Sequence, residues 1–343
     1  MKRHLNTLYV MTEGAYLACE GETVLVRAEN ETRLKVPIHM LGGIVCFGRV
    51  GWSPALMGLC GERGVALSLL STNGRFRARI QGPISGNVLL RREQYRRADD
   101  AQASAALARS IVAGKVVNCR QVLLRGLRDY DRNDGSDGLK KAADRLARLL
   151  HDLETESSLD AIRGFEGEAA RTYFGVFDHL IKGQKDDFSF NGRSRRPPLD
   201  KVNSLLSFLY TLLFHDAASA AEVVGLDPAV GFLHRDKPGR LGLALDLMEE
   251  FRPFFGDRLV LSLINKKQLK ASGFEKSESG AVLMDEETRK TVLAAYQKRK
   301  QEEITHPFLE EKTTVGLLLH LQARLLARHL RGELDAYPPF FWK

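Results

Sequence analysis

No apolar run in this chain reaches the roughly 18 residues that a membrane span requires, so no transmembrane helix is predicted. Charged and polar residues break up Met1–Gly14, where a secretory signal would need an apolar stretch. Cysteine is scarce: the four are Cys19, Cys46, Cys60 and Cys119, none in a CxxC pair and none with a histidine at zinc-ligand spacing. They read as small buried hydrophobes in a reducing compartment, and a cytoplasmic location is expected. Internal repeats and long low-complexity tracts are also missing. Acidic residues are the minority, 43 against 51 Lys and Arg, which leaves a net charge of +8 and a pI near 9.3. A basic balance favours polyanionic partners, nucleic acid first and anionic membrane second. What is present suits a soluble globular protein: 343 residues, 44% hydrophobic and 27% charged, enough for two domains and an ample core.

The basic residues are clustered. Arg75, Arg77 and Arg79 alternate along a predicted strand; Arg91, Arg92, Arg96 and Arg97 follow. Arg193, Arg195 and Arg196 fall in a predicted loop near Lys182, Lys185 and Lys201, and Arg324, Arg328 and Arg331 share a helical face with His320. Any one cluster fits a solvated surface; four together shift the balance toward phosphate-backbone binding.

Residues 1–82 read as a β-rich domain. Leu8–Met11 and Ala15–Cys19 flank a short loop and predict a hairpin; Thr23–Ala28, Leu34–Val36, Gly43–Phe47, Val65–Leu70 and Arg75–Ile80 are further strands, the last after an Asn73-Gly74 turn. Ser53-Pro54 opens a single helix, with serine as N-cap and proline at the first helical position. Gly82-Pro83-Ile84-Ser85-Gly86 lies at a linker assigned to 83–90. From 91 to 343 the pattern is helical: Gln94–Asn118, Leu139–Glu154 after the polar turn Asp131–Gly138, Asp160–Leu180, about 200–215, about 238–251, Met284–Glu303 and Val315–Gly332, with little strand pattern and a polar loop at Lys267–Ser279. The fold class is α+β: an N-terminal β-rich domain, then a larger all-α domain.

Glu166 is the most informative residue. It lies four after Ile162, three before Ala169 and seven before Tyr173, inside a helical apolar stripe, whereas Glu168 projects to the other side. A carboxylate there requires a metal, a proton or a cation, or else a polar cleft. His234, in Gly231-Phe232-Leu233-His234-Arg235, is the second candidate. Asp246 and Glu249, three apart on one face of the next helix, are the third. One histidine with carboxylates suits Mg²⁺ or Mn²⁺ rather than structural zinc. The alternatives stay open at this point: a buried ion pair for Glu166, a carbonyl hydrogen bond for His234, and an ordinary wet face for the stripe Gly242, Asp246, Glu249, Pro253.

Several runs carry a resemblance in their order and spacing: Gly114-Lys115-Val116-Val117-Asn118, Arg163-Gly164-Phe165-Glu166-Gly167, Arg193 through Asn203, Leu226-Asp227-Pro228 leading to Gly231-Phe232-Leu233-His234, and Leu245 through Pro253. Over essentially its full length the chain resembles the CRISPR adaptation integrase, the first of the numbered CRISPR-associated proteins, in its type I-C branch. That resemblance implies a metal-dependent DNA endonuclease and integrase whose helical domain carries the site. Metal ligands would be Glu166, His234 and Glu249, with Asp246 in the companion acidic position and catalytic with them, and the cofactor Mg²⁺ or Mn²⁺. The last ligand is Glu where many relatives have Asp. Lys115, Arg193, Arg195 and Arg196 are the expected DNA contacts. The partners implied are double-stranded prespacer and repeat DNA, a second copy of the chain, the small second numbered CRISPR-associated protein and the fourth numbered nuclease, with no membrane. The reaction expected is attack of a prespacer 3′-hydroxyl on a phosphodiester at the leader–repeat junction, and a neutral ligating His234 predicts lower activity at acid pH. Two rivals are a metal-dependent nuclease of branched or flap DNA, and a non-catalytic DNA-binding scaffold.

Overall fold

The computed structural model describes residues 6–29, 31–72, 76–80, 82, 88–128 and 136–342. The chain divides into two units, Met1–Ser85 and Gly86–Lys343. The predicted Asn73-Gly74 turn, Arg75, residues 83–86 of the linker and residues 131–135 lie outside the described residues.

Alternating apolar residues build the first unit. Its strands are β1 (Asn6–Val10), β2 (Tyr16–Glu20), β3 (Thr23–Ala28), β4 (Glu31–Pro37), β5 (Leu41–Phe47), β6 (Gly51–Trp52), β7 (Ala66–Leu70) and β8 (Phe76–Ile80). They form two four-stranded sheets, ordered β1-β5-β7-β8 and β4-β3-β2-β6. The expected hairpin between the first two strands does not form. β1 pairs in parallel with β5, and β2 pairs with β3 and β6. The intervening turn passes the chain from one sheet to the other: Gly14 has a positive φ of 74° and donates to the Arg49 carbonyl. Helix α1 (Pro54–Arg63) starts as expected, the Ser53 hydroxyl accepting from Leu56 N at 3.2 Å, and stops at Gly64 in the left-handed conformation. Leu17, Val24, Ile44, Cys46, Leu56 and Leu67 are among the residues of this unit's own core.

The second unit is helical: α2 (Val88–Asp99), α3 (Ala101–Arg128), α4 (Ser136–Leu153), α5 (Leu159–Gly175), α6 (Lys201–Val223), α7 (Gly242–Glu249), α8 (Arg258–Asn265), α9 (Glu286–Gln301) and α10 (Leu318–Leu330). The single helix expected over Gln94–Asn118 is two. Asp100 interrupts it, and its carboxylate caps α3 by accepting from Ala103 N at 2.8 Å. Because α2 begins at Val88, the last residues assigned to the linker are helical. The unit is not wholly α. Two short hairpins, β9 (Phe274–Lys276) with β10 (Val282–Met284) and β11 (Glu303–Thr305) with β12 (Lys312–Thr314), lie where little strand pattern was visible. The first of them occupies much of the expected polar loop Lys267–Ser279.

α3 is the axis on which the site is assembled, packing against α4, α5 and α7. α7 is buried all round, Asp246 and Glu249 included, so the stripe Gly242–Pro253 is not a wet face. After Glu250 and Phe251 comes a wide π turn, Arg252–Asp257. Pro253 has no N–H to continue the α pattern there.

Candidate active site

Four segments of the helical unit converge: α3 with Lys115, α5 with Glu166, the loop 226–234 with His234, and α7 with Asp246 and Glu249. The loop is pinned from several sides. Gln94 of α2 donates to the carbonyls of Asp227 and Val230 at 2.8 Å each and accepts from Asp227 N at 2.9 Å. Ser104 of α3 donates to Phe232 O at 3.1 Å, and Arg163 of α5 to Leu233 O at 2.7 Å. Against α7 the backbones nearly touch: a Cβ on Gly231 would lie 2.6 Å from the Gly242 carbonyl carbon and 2.8 Å from Asp246 Oδ2. This approach explains the two glycines.

Asp246 uses that contact. One carboxylate oxygen accepts from Phe232 N at 2.6 Å and Leu233 N at 3.0 Å; the other accepts from His234 N at 3.1 Å and faces His234 Nδ1 at 2.6 Å. Its acceptors are therefore committed inside the fold. Asp246, expected among the catalytic acids, has both oxygens engaged by the 232–234 backbone and by His234. A carboxylate partner fixes the proton on Nδ1, which leaves the Nε2 lone pair of His234 as the ligating or proton-accepting position.

Glu166 and Glu249 meet on one ammonium. Lys115 Nζ is ion-paired with Glu166 Oε1 and lies 2.7 Å from Glu249 Oε2. The Lys115 side chain is 6% exposed, that of Glu249 2%, and that of Glu166 28%, so Glu166 is reachable from solvent and forms the open wall. The other oxygen of Glu249 pairs with Arg252. Burial alone would raise the Glu249 carboxyl; Arg252, then Lys115 and His234, override it and hold the group well below the usual carboxylate range. Burial alone would likewise lower Lys115, but Glu249 and Glu166 hold it above the ordinary lysine value. Although Glu249 Oε2 is at ion-pair distance from Lys115, it makes no well-aligned hydrogen bond and is otherwise unpartnered. Among the described residues, no three His, Cys, Asp or Glu side chains already stand as a closed metal cluster. Lys115 bridges the two carboxylates. The donor set still fits a divalent cation, with two carboxylates gathered on a positive charge, one incompletely satisfied oxygen and an oriented imidazole nearby.

The expected DNA contacts separate. Lys115 is buried beneath the carboxylates rather than on a surface. Arg193 is committed too, donating to Asn203 Oδ1 at 2.6 Å and to Ser207 Oγ at 3.2 Å while stacking over Tyr210. Arg195 and Arg196 are exposed. Elsewhere, Arg97 pairs with Glu93, and Arg328 and Arg331 with Glu333, so those clusters are partly neutralised. Glu168 pairs with Arg145, on the side of α5 opposite Glu166.

Sequence reasoning named Lys115 only as a DNA contact and passed over Glu250 and Asp257. Lys115 stands four after Ile111 and four before Cys119 on a buried stripe of α3, the same anomaly that singles out Glu166. Glu250 is fully buried, its carboxyl pushed up to about 7 by burial, and accepts from Tyr337 Oη at 2.6 Å, Phe340 N at 2.6 Å and Gln322 Nε2 at 3.1 Å. Together with Asn118, whose Nδ2 donates to Phe340 O at 2.8 Å, it fastens the C-terminal segment behind α7. Asp257 is buried, pushed up to about 6 by burial, and accepts from Tyr210 Oη at 2.5 Å.

Residues 8–298 match the family model described as CRISPR associated protein Cas1. The chain is 55% identical over 343 residues to a CRISPR-associated endonuclease Cas1 of Chlorobaculum tepidum, covering all of both. Among solved structures, a casposase bound to integration product superposes with a TM-score of 0.84 at 22% identity, covering 99% of this chain and 95% of that one. A Cas6-RT-Cas1–Cas2 complex gives 0.83 at 22% identity, covering all of this chain and 37% of that one. These structural likenesses establish the α+β fold. Among the described residues no helix is long and apolar enough to cross a membrane.

Proposed function

The chain belongs to the Cas1 family of CRISPR-associated endonucleases, and from that premise we propose that it is a metal-dependent integrase that inserts prespacer DNA at the leader–repeat junction. The observation that carries this reading is the juxtaposition of Glu166 and Glu249 on a buried cation, with His234 oriented beside them by Asp246. Held by Glu166, His234 and Glu249, a Mg²⁺ or Mn²⁺ ion would polarise the phosphodiester and lower the pKa of the attacking 3′-hydroxyl. The chain's own residues do the rest. Asp246 fixes the His234 tautomer, Arg252 keeps Glu249 ionised, and half-exposed Glu166 marks the side from which DNA approaches. Arg195 and Arg196 are the free cations of their loop for the phosphate backbone.

The casposase likeness supports integration, since that protein is seen with its integration product. The complex containing Cas1 and Cas2 supports assembly with a small Cas2-type partner. A homodimer, and help from a nuclease of the fourth numbered kind, belong to the same reading, and the type I-C placement rests on the motif runs alone. Hydrolysis of branched or flap DNA is the second reading. It uses the same site with water in place of the 3′-hydroxyl, and the name endonuclease borne by the Chlorobaculum relative favours keeping it. A non-catalytic scaffold could hold the Lys115 ion pairs for structure alone, but would not need His234 oriented by Asp246 as well.

The test is strand transfer of labelled prespacer into repeat DNA with Mg²⁺ or Mn²⁺. Glu166→Ala, His234→Ala and Glu249→Gln should each abolish transfer while Glu168→Ala leaves it nearly unchanged. Glu249→Gln is chosen over alanine because it keeps the side-chain volume and an oxygen that can accept from Lys115 or Arg252; losing the buried charge still costs about 3–5 kcal/mol, so folding is checked alongside. Transfer that survives all three substitutions would remove the metal-site assignment.

A further inference from the structure

Lys115 has no role in the scheme above, yet it stands at its centre. Its ammonium touches both carboxylates assigned to the metal. A lysine buried to this degree is costly unless its charge is compensated, and here the compensation comes wholly from groups that a divalent ion would claim. Beside it lies a small cavity with room for about one water molecule, its wall largely apolar (Phe174 and Pro253 among others) but reached by Tyr173, Tyr210 and Asp257. Tyr173 is fully buried, and its hydroxyl lies near Asp257 but makes no well-formed hydrogen bond. An ammonium is about the size of a water molecule, and a lysine stem turns on several single bonds.

We propose that Lys115 is a resident counter-cation that occupies the place of the divalent ion and is displaced by it, its ammonium withdrawing into the adjoining cavity toward Tyr173 and Asp257. The inference rests on the assignment of Glu166, His234 and Glu249 to a metal. Without Lys115, two carboxylates and Asp257 would face Arg252 across the site. With it, the carboxylates are neutralised and held together before any ion arrives. Metal uptake is then an exchange of one cation for another, so its affinity is reduced by the ion pairs that must break. Arg252 shares Glu249 through the other oxygen and keeps that contact during the exchange. The adjoining cavity is what makes withdrawal feasible: the Tyr173 hydroxyl and the Asp257 carboxylate accept the ammonium in place of Glu166 and Glu249.

Mn²⁺ binding to the full-length protein, measured by calorimetry together with thermal unfolding with and without Mn²⁺, decides the matter. Lys115→Met keeps the length and removes the charge. It should bind Mn²⁺ at least tenfold more tightly than the parent, unfold at a lower temperature without metal, and gain more from Mn²⁺. Equal or weaker Mn²⁺ binding by Lys115→Met overturns the proposal. Tyr173→Phe deletes only that hydroxyl and keeps the test decisive should the methionine variant fail to fold. Its metal-free unfolding temperature should be unchanged and its Mn²⁺ affinity several-fold weaker; an unchanged affinity counts against displacement into the cavity. Failure of the underlying assignment looks different: the parent protein itself would take up no Mn²⁺ that Glu166→Ala or His234→Ala abolishes.

Discussion

Asp257 shows how single residues here trade stability for a charged interior. It is 1% exposed, its carboxyl is pushed up to about 6, and its neighbours on other elements are Tyr173, Tyr210 and Arg193, with Arg252 on its own turn. Burial is the largest cause; the tyrosine hydroxyls and the arginines pull the other way without fully offsetting it. The sign follows from proton linkage. A carboxyl raised from the ordinary 3.8 to about 6 binds its proton more tightly folded than unfolded. Below the unfolded value both states are protonated and nothing is lost; between the two values, as pH rises, the folded state is progressively penalised, and above the folded value the penalty is constant. Asp257→Asn keeps the oxygen that accepts from Tyr210 and removes the charge. The variant should be more stable than the parent at neutral pH by roughly 1–3 kcal/mol, with the advantage fading as pH falls from about 6 and gone below about 4. Denaturant unfolding across that range checks it; an advantage that does not vary with pH would assign the effect to packing. At this scale the site was partly legible. Glu166 announced itself because a carboxylate broke an apolar stripe, and Lys115 carried the same signal. Arg193 misled because a sequence shows that an arginine is present but not that Asn203 and Ser207 already hold it.

Elements were legible where their periodicity was local and were misread where a distant contact decided. The β-strands of the first unit alternate plainly, yet the partner of β1 is β5, which no local pattern names. Asp100 ends one helix and caps the next, although the apolar spacing runs on across it. The meeting of the 226–234 loop with α7 was also hidden, because it depends on two glycines eleven positions apart. Gly231→Ala should therefore be costly: its Cβ would sit within 3 Å of the Gly242 backbone and of the Asp246 carboxylate, neither of which can yield without moving the other. A loss of about 1–3 kcal/mol is expected, with weaker Mn²⁺ binding as His234 shifts. Gly164→Ala is the control on α5. Its Cβ meets nothing within 4 Å, and an alanine inside a helix should add about 0.5–1 kcal/mol. Thermal unfolding of the pair separates a packing constraint from a general intolerance of alanine; equal effects would remove the role given to the Gly231–Gly242 contact.

For the whole molecule, the turn from alternating to helical periodicity near residue 90 was readable, and the boundary in the structure lies at Ser85–Gly86. What each unit contributes follows from where the chemistry lies. All the groups discussed above belong to the second unit, and the first has its own core and no candidate ligand. Joining two strand ends at two places requires two sites, while each chain has one, so the first unit is expected to pair protomers. Its edge strand β4 is the surface best suited to this. Five of its seven residues are exposed, Leu34 among them at 43%. Pairing with a second copy antiparallel about Arg33 sets Glu31 against Lys35 twice; Arg33 faces its own copy, tempered by its ion pairs with Glu29 and Glu31. A free edge of this kind either pairs or must be protected. The fragment 86–343 should accordingly be helical, bind Mn²⁺, run as a monomer in light scattering and join no more than one prespacer end, whereas the full chain should run as a dimer. A fragment that remains a stable dimer would move the protomer contact to the helical unit and leave β4 without the function argued for it.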